Sequence, residues 1–486
     1  MTPDEFRKEG SKLIEWIAQY MEQVDQFPVR SQAEPFEILN ALPSSPPQNG
    51  EKESMVDSTL ADVESILLKG ITHWQSPRFF AYFPANADPA SLLGDFLSSG
   101  LGVQGMLWIT SPACTELEQL MCDWVGQAIG LPNHFLEGSL GGGVIQDSAS
   151  SATLCALIAA REHVLQGCSL RSFPQQLTVY CTSYAHASLL KAVRICGLGD
   201  ECIRTIACTQ EGGMDAKALH SQIKRDRLEG AYPCFVMTSL GTTARLSFDD
   251  LTQIGQVCQK EQLWMHVDAA MAGAAGICPE FAWIHTGLDY AQSYCFNPHK
   301  WWGVHFDCDC FYVQDRSKLT QALSVMPSYL RNQATDEGQV RDYRDWQIPL
   351  GRRFRALKLW FYIRYHGVKG IQSLIRHHVD LTQQCANWMK DHPYLEFFCP
   401  PSLNLICFYF NIPTWTHKDN QSFNQDLMEY LNNQGLLYLT HVQLEETFVL
   451  RLCIGQRTTK LTHVQQAWTA IQSAFSILSR QRGLGE

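Results

Sequence analysis

The chain has no Cys-x-x-Cys pair, no apolar run long enough to span a bilayer, no excess of basic residues, and neither a Walker A nor a Gly-x-Gly-x-x-Gly pattern. Each absence removes a class of function. Its 18 cysteines are scattered from Cys114 to Cys453 with a single Cys-x-Cys, Cys308 and Cys310, so neither a zinc knuckle nor a disulfide framework fits. Several of them (Cys181, Cys258, Cys295, Cys407, Cys453) lie in apolar stretches, where cysteine acts as a small buried hydrophobe in a reducing compartment. A formal net charge of -11 works against binding phosphate backbones or anionic lipid, so nucleic acid and membrane are set aside as partners. Residues 1–10 are polar and charged and lack the apolar core of a signal peptide, which makes a cytoplasmic protein the expectation.

What is present is a long, ordinary globular composition: 486 residues, 45% hydrophobic and 18% charged. That length exceeds one simple core, and the expected division is an N-terminal helical segment (1–85), a large domain (86–370) and a small C-terminal α+β domain (371–486). Thr2, Pro3 and Glu5 form a helix start, and Phe6, Leu13, Ile14, Ile17 and Met21 follow at helical spacing. Residues 27–51, rich in Pro and Ser, read as a linker, so this amphipathic helix must pack on the body of its own chain or on a second subunit; the second subunit is the expectation. At the other end, 405–410 and 447–454 read as strands and 462–478 as a closing helix, beyond a turn bracketed by Gly367 and Gly370.

Four apolar, β-rich runs occupy the middle of the chain: 177–181, 234–239, 264–267 and 294–296, with helical stretches such as 249–260 between them. The last three begin about one βαβ unit apart, which predicts an α/β fold: a mostly parallel central sheet with helices on both faces. Ligands of such sheets sit beyond the carboxyl ends of the strands, where this chain carries His186, Thr242, Thr243, Asp268 and Lys300. Lys300 stands before Trp301 and Trp302, where burial would disfavour the ammonium and leave a usable amine. Alone, it is equally a lysine whose stem lies along aromatic rings with its head in water. Residues 138–151 read as a Gly- and Ser-rich loop feeding a helix at 152–162, where the Ser148 and Ser150 hydroxyls at a helix N-terminus would suit a phosphate or simply cap the helix. Asp268, among Val267, Ala269 and Ala270, needs either a structural cation or a protonated ring nitrogen as partner.

Together these residues match pyridoxal 5'-phosphate, which needs a lysine for its aldehyde (Lys300), an acid for its pyridine nitrogen (Asp268), an anion pocket (the Ser148 loop) and a flat group to stack on its ring (His186). No pattern of metal ligands competes with it. The aromatic stretch His73, Trp74, Phe79, Phe80, Tyr82, Phe83, ending at Pro84, is either core or the wall of a pocket for an aromatic ligand, and segment 101–108 shares that ambiguity.

The chain resembles the group II pyridoxal-phosphate-dependent decarboxylases, most closely the aromatic-L-amino-acid decarboxylases. The resemblance runs through Thr72-His73-Trp74, Phe80 to Pro84, Ser111 to Glu118, Gly141 to Gln146, His266 to Ala270, Asn297 to Trp301 and Asp342 to Phe354. It implies the aspartate-aminotransferase-like fold type I and a homodimer with a swapped amino-terminal segment and active sites at the subunit interface. It also implies that Lys300 forms the Schiff base, Asp268 partners the pyridine nitrogen and His186 stacks on the ring. Ser148, Ala149, Ser150, Asn297 and His299 would hold the phosphate side, Thr243 would lie against the cofactor, and Tyr329 would belong to a mobile loop that closes on the site. The polar, Gly338-containing stretch 327–345 suits such a lid.

Departures from the family pattern bear on the substrate. Ala85 replaces the usual Thr, Gln104 and Met106 stand where apolar or aromatic residues are usual, Met271 replaces a Tyr, and Tyr184 and Asp147 are also unusual. Gly351 leaves room for a bulky side chain, which with Trp74, Tyr82, Phe83 and Pro84 favours tryptophan, tyrosine, phenylalanine or dihydroxyphenylalanine. The expected reaction is decarboxylation to the amine. Alternatives are an aldehyde synthase of the same family, a decarboxylase for histidine, glutamate or diaminobutyrate, and a cofactor-free scaffold.

Overall fold

The computed structural model describes residues 1–50, 55–165, 177–325 and 339–483, so Tyr329 and most of the expected lid lie outside the described residues. Apolar runs bounded by turn residues become the strands of a seven-stranded sheet within the unit Ala85–His377. They are β1 (Gly142–Gln146), β2 (Leu177–Thr182), β3 (Ile203–Ile206), β4 (Tyr232–Ser239), β5 (Trp264–Asp268), β6 (Ser293–Phe296) and β7 (Asp309–Val313), in the order β1-β7-β6-β5-β4-β2-β3. Neighbours from β6 to β3 run parallel, and β7 is antiparallel to both β6 and β1. The helix Ala149–Leu165 buries Ala152, Ala156, Ala159 and Ala160 against a core that includes Val144, Val179, Phe235 and Phe311. Its small side chains let the helix lie close to the sheet, which brings its N-terminus to the end of β1.

The four predicted runs are β2, β4, β5 and β6. The structure corrects the expectation of a loop over 138–151, because Gly142–Gln146 is a strand and the helix begins at Ala149. Glycine misleads here for a steric reason. A Cβ at Gly143 would lie 2.7 Å from the Tyr312 ring and 2.9 Å from Cys122 Cβ, so the residue serves close approach rather than a turn. Two further strands were not anticipated: β3 is short and half-exposed, and β7 opens with Asp309 between two cysteines.

The second unit comprises Met1–Pro84 and His378–Glu486. Its sheet, β10-β11-β9-β8, consists of β8 (Leu395–Phe397), β9 (Leu405–Phe410), β10 (Thr440–Leu444) and β11 (Thr447–Cys453), all antiparallel. The helices His417–Asn433 and Leu461–Gln481 cover a core that includes Phe408, Phe410, Phe423 and Phe475. Gly367, at φ 62°, interrupts the long helix Ala356–Met389 with a conformation that side-chain-bearing residues rarely adopt. The helix Pro3–Gln23 has the expected capping box between Thr2 and Glu5. It meets the helix Met55–Ser65 through Lys12 to Asp57 at 2.6 Å, while Phe6, Leu13 and Ile14 stay exposed. No helix among the described residues is long and apolar enough to cross a membrane.

One buried ion pair ties β1 to the chain beyond the lid segment. Glu118, on the helix Pro112–Ile129, accepts from the Ile145 N–H at 2.8 Å and pairs with Arg352; both side chains are buried. Glu118→Ala leaves the Arg352 charge without its carboxylate and should destabilise the protein by ~3–5 kcal/mol. Denaturant unfolding of the cofactor-free protein checks this, with a shift below 1 kcal/mol counting against it.

Candidate active site

The carboxyl ends of the parallel strands collect the residues named from the sequence. Asp268 is the last residue of β5, in register with Cys295 on β6, and its Oδ1 accepts from the Ala270 N–H at 3.0 Å. The chain leaves β6 at Asn297 and turns so that the Lys300 N–H donates to the Asn297 carbonyl at 3.0 Å. Trp301 and Trp302 are fully buried, and Trp302 Nε1 donates to the Ala274 carbonyl at 3.0 Å; they fix the turn as packing residues. Burial pushes the Lys300 amine below its ordinary lysine range, and the negative Asp268 opposes that shift without cancelling it. This is the free-amine character required of a lysine that condenses with an aldehyde.

His299, buried beside it, is pushed down to about 3 by burial and by the Lys300 charge. Its Nδ1 accepts from the Cys308 N–H at 2.9 Å, so the neutral ring carries its proton on Nε2. His186 lies after β2, exposed, and its Nδ1 accepts from the Ser188 N–H at 3.2 Å, which fixes the tautomer in the same way. Thr243 is exposed beyond β4, beside a buried Thr242 whose Oγ1 pairs with Ser247 Oγ at 2.8 Å. Ser148 Oγ accepts from the Ser151 N–H at 3.4 Å at the start of the helix Ala149–Leu165, with Ala149 half-buried and Ser150 exposed. The first backbone N–H groups of a helix have no intrahelical carbonyl to donate to, which makes this helix start suited to an anion. Asn297 is buried and its Oδ1 accepts no hydrogen bond.

A separate group forms around Gly351. Gln104 Oε1 accepts from the Arg352 N–H at 2.6 Å, the Met106 carbonyl from the Arg344 N–H at 3.1 Å, and a Cβ at Gly351 would meet only the Gln104 amide, at 3.3 Å from Nε2. Gly351 therefore borders open space. Ala85 is half-buried in this same unit, and Met271 is buried after β5. Tyr184 has the Arg245 guanidinium 6.0 Å from its ring centre, and Asp147 is exposed. Trp74, Tyr82, Phe83 and Pro84 belong to the other unit. There Trp74 and Tyr82 stack at 5.7 Å with interplanar angle 15°, and Arg451 lies 5.4 Å from the Phe83 ring centre.

Two residues were missed from the sequence. Asn86 is buried and its Nδ2 donates to the Lys300 carbonyl at 3.2 Å; the Pro84-Ala85-Asn86-Ala87 break after the aromatic stretch was the available signal. Asp309 is buried at the start of β7. A charged residue between Cys308 and Cys310 could have marked it.

The residues fit pyridoxal phosphate: an amine depressed by burial, an acid at the neighbouring strand end, and a helix N-terminus with small side chains. The model of the pyridoxal-dependent decarboxylase conserved domain matches residues 35–411. The chain belongs to the pyridoxal-dependent decarboxylases. It is similar to aromatic-L-amino-acid decarboxylase of Rattus norvegicus, 40% identical over 489 residues covering 99% of each chain. It is also similar to phenylacetaldehyde synthase of Petunia hybrida, 38% identical over 98% of this chain and 96% of that one. A crystal structure of Oryza sativa TDC with PLP and tryptamine superposes with a TM-score of 0.96 at 34% identity, covering 98% of this chain and 99% of that one. The fold is thus that of the PLP-dependent decarboxylases, and pyridoxal phosphate is the cofactor.

The depressed Lys300 gives a direct test on the cofactor-free decarboxylase. Its amine should react at neutral pH with an amine-directed reagent faster than the exposed lysines, and the rate should level off at lower pH than theirs. Peptide mass spectrometry reads the rates; a Lys300 slower than surface lysines at every pH would contradict the shift.

Proposed function

We propose that this decarboxylase acts on an aromatic L-amino acid and releases the corresponding amine and carbon dioxide. The observation that carries the site assignment is the half-buried Lys300, its amine pushed down by burial, in the turn after β6, next to the strand β5 whose last residue is Asp268. Bound pyridoxal phosphate supplies the ring that takes up the electron pair left when carbon dioxide departs. Lys300 would hold the cofactor's aldehyde carbon. Asp268 would keep a proton on the ring nitrogen, His186 would stack on the ring, and Thr243 would lie against it. Ser148, Ala149 and Ser150, with Asn297 and His299, receive the phosphate. Tyr329, which lies outside the described residues, or the neighbourhood of His186 would deliver the proton to the α-carbon.

Two features support an aromatic side chain: the open space at Gly351 and the similarity to enzymes named for aromatic substrates. Gln104 and Met106 beside Gly351, with Ala85 in place of a hydroxyl, set which ring is preferred. The chain works as a cytoplasmic homodimer in this proposal, with the exposed Phe6, Leu13 and Ile14 face of the first helix covered by the second copy. The three-segment division 1–85, 86–370 and 371–486 describes its functional parts.

Carbon dioxide release should be fastest from tryptophan, tyrosine, phenylalanine or dihydroxyphenylalanine; a higher kcat/KM for histidine or glutamate would replace the aromatic assignment. A second reading, aldehyde synthesis, is favoured by the similarity to phenylacetaldehyde synthase. Measuring peroxide, ammonia and aldehyde against amine separates the two. Tyr329→Phe should move product from amine towards aldehyde, and an unchanged amine yield removes Tyr329 from proton delivery. Lys300→Ala should abolish turnover together with the visible absorbance of the lysine-bound cofactor; if both persist, another lysine holds it.

A further inference from the structure

Gln146 and Asp309 face each other across the sheet as the last residue of β1 and the first of β7. Directly opposed residues on neighbouring strands place their side chains on one face, with Cβ atoms about 5 Å apart. Both are sealed from solvent, at 1% and 0% exposure. Gln146 Nε2 donates to the Trp346 carbonyl at 3.0 Å, which orients the amide and leaves Oε1 accepting nothing from the described residues. Neither carboxyl oxygen of Asp309 accepts a hydrogen bond from the described residues either. Turning the amide over does not help, since it would set Oε1 against the Trp346 carbonyl oxygen. Asn297 Oδ1, one residue past the last β6–β7 pair of Phe296 with Cys310, is a third buried acceptor without a donor. This end of the sheet is short of protons, and facing acceptors in a dry interior repel.

We propose that Asp309 is a neutral carboxylic acid that donates its O–H to Gln146 Oε1, and that this hydrogen bond positions the turn at 147–149 that receives the cofactor's phosphate. One proton converts the repelling pair into a donor–acceptor pair and makes a chain from Asp309 through Gln146 to the Trp346 carbonyl. Gln146 directly precedes Asp147, Ser148 and Ala149, so fixing its side chain fixes the exit of β1 into the helix N-terminus. The charged and titratable groups facing Asp309 among the described residues are Asp268 from β5, Tyr294 and Cys295 from β6, Lys300 after β6, Asp147 after β1, Cys155 from the helix Ala149–Leu165, and its own neighbour Cys310. Burial and the charges of Asp268 and Asp147 favour the proton, and only Lys300 opposes it. The Lys300 amine is itself pushed towards neutrality, which weakens that opposition. Asp309 is a positioning residue: it acts on the site through Gln146.

The phosphate half of the proposal rests on the assignment of Ser148 and Ala149 under the proposed function; the proton half does not. Infrared spectra of the cofactor-free protein should contain the carbonyl stretch of a protonated carboxyl, absent from Asp309→Asn. Absence of that band from the unmutated protein overturns the proposal, with an ionised Asp309 beside a bound cation as the replacement. Asp309→Asn keeps a donor for Gln146 Oε1 and no charge, so its cofactor affinity, read by quenching of tryptophan fluorescence, should stay within about threefold of the unmutated protein, while folded Asp309→Ala should bind ~tenfold more weakly. An Asn variant weakened as much as that defeats the hydrogen-bond role even where the Ala variant does not fold. Ser148→Asp separates the two assignments, because a carboxylate at that helix start should weaken cofactor binding by ~tenfold or more if the phosphate sits there. If Ser148→Asp binds normally, the phosphate assignment falls; if it weakens while Asp309→Ala does not, the positioning role of Asp309 falls alone.

Discussion

A lysine amine set just past the end of a buried strand holds its charge less readily than one in water, and the large unit is arranged around that cost. Lys300 sits after β6 because Trp301 and Trp302 are locked into the interior behind it and Asn86 holds its carbonyl. The parallel register of β5 with β6 then puts Asp268 at the neighbouring strand end, close enough to oppose the downward shift of the amine without cancelling it. A surface lysine would gain nothing from such an arrangement, since water would screen the carboxylate and solvate the ammonium. The sheet order is thus a chemical requirement as much as a packing solution.

Other ionisable groups near this centre are silenced in the same way. His299 stays neutral through the physiological range because burial and Lys300 both work against its charged form. The thiols of Cys155 and Cys295 are pushed up by burial, which makes them poor nucleophiles. Among the described cysteines all but Cys208 and Cys399 are buried, so the high cysteine content is a matter of filling space.

Much of this was legible in the sequence, and the exceptions have physical causes. β2, β4, β5 and β6 announce themselves because strands buried on both faces are continuous apolar runs. Asp268 and Lys300 stand out because each is a charge at the end of such a run. β1 was hidden because its glycines, Gly142 and Gly143, look like turn residues when they are there to admit Tyr312 and Cys122. Asp309 was hidden because its meaning depends on Gln146, a partner far away in the sequence whose register only the sheet defines. Asn86 is a contact of the same long-range kind. Local pattern reports which residues are unusual, while pairing across strands decides what each of them meets.

The antiparallel strand β7 also governs when the site comes into being. It is the piece that carries β1, early in the unit, to the side of β6, late in the unit, and so brings the start of the helix Ala149–Leu165, proposed to receive the phosphate, to the part of the sheet that the lysine follows. Contacts between such distant segments form slowly, because the long intervening chain must first be ordered. With the phosphate at that helix start, as proposed, a chain with β2 to β6 assembled and β1 still loose would have the lysine but no seat for the phosphate. Cofactor capture would then be a late event, one that reports completion of the sheet and withholds a reactive aldehyde from chains that have not yet folded.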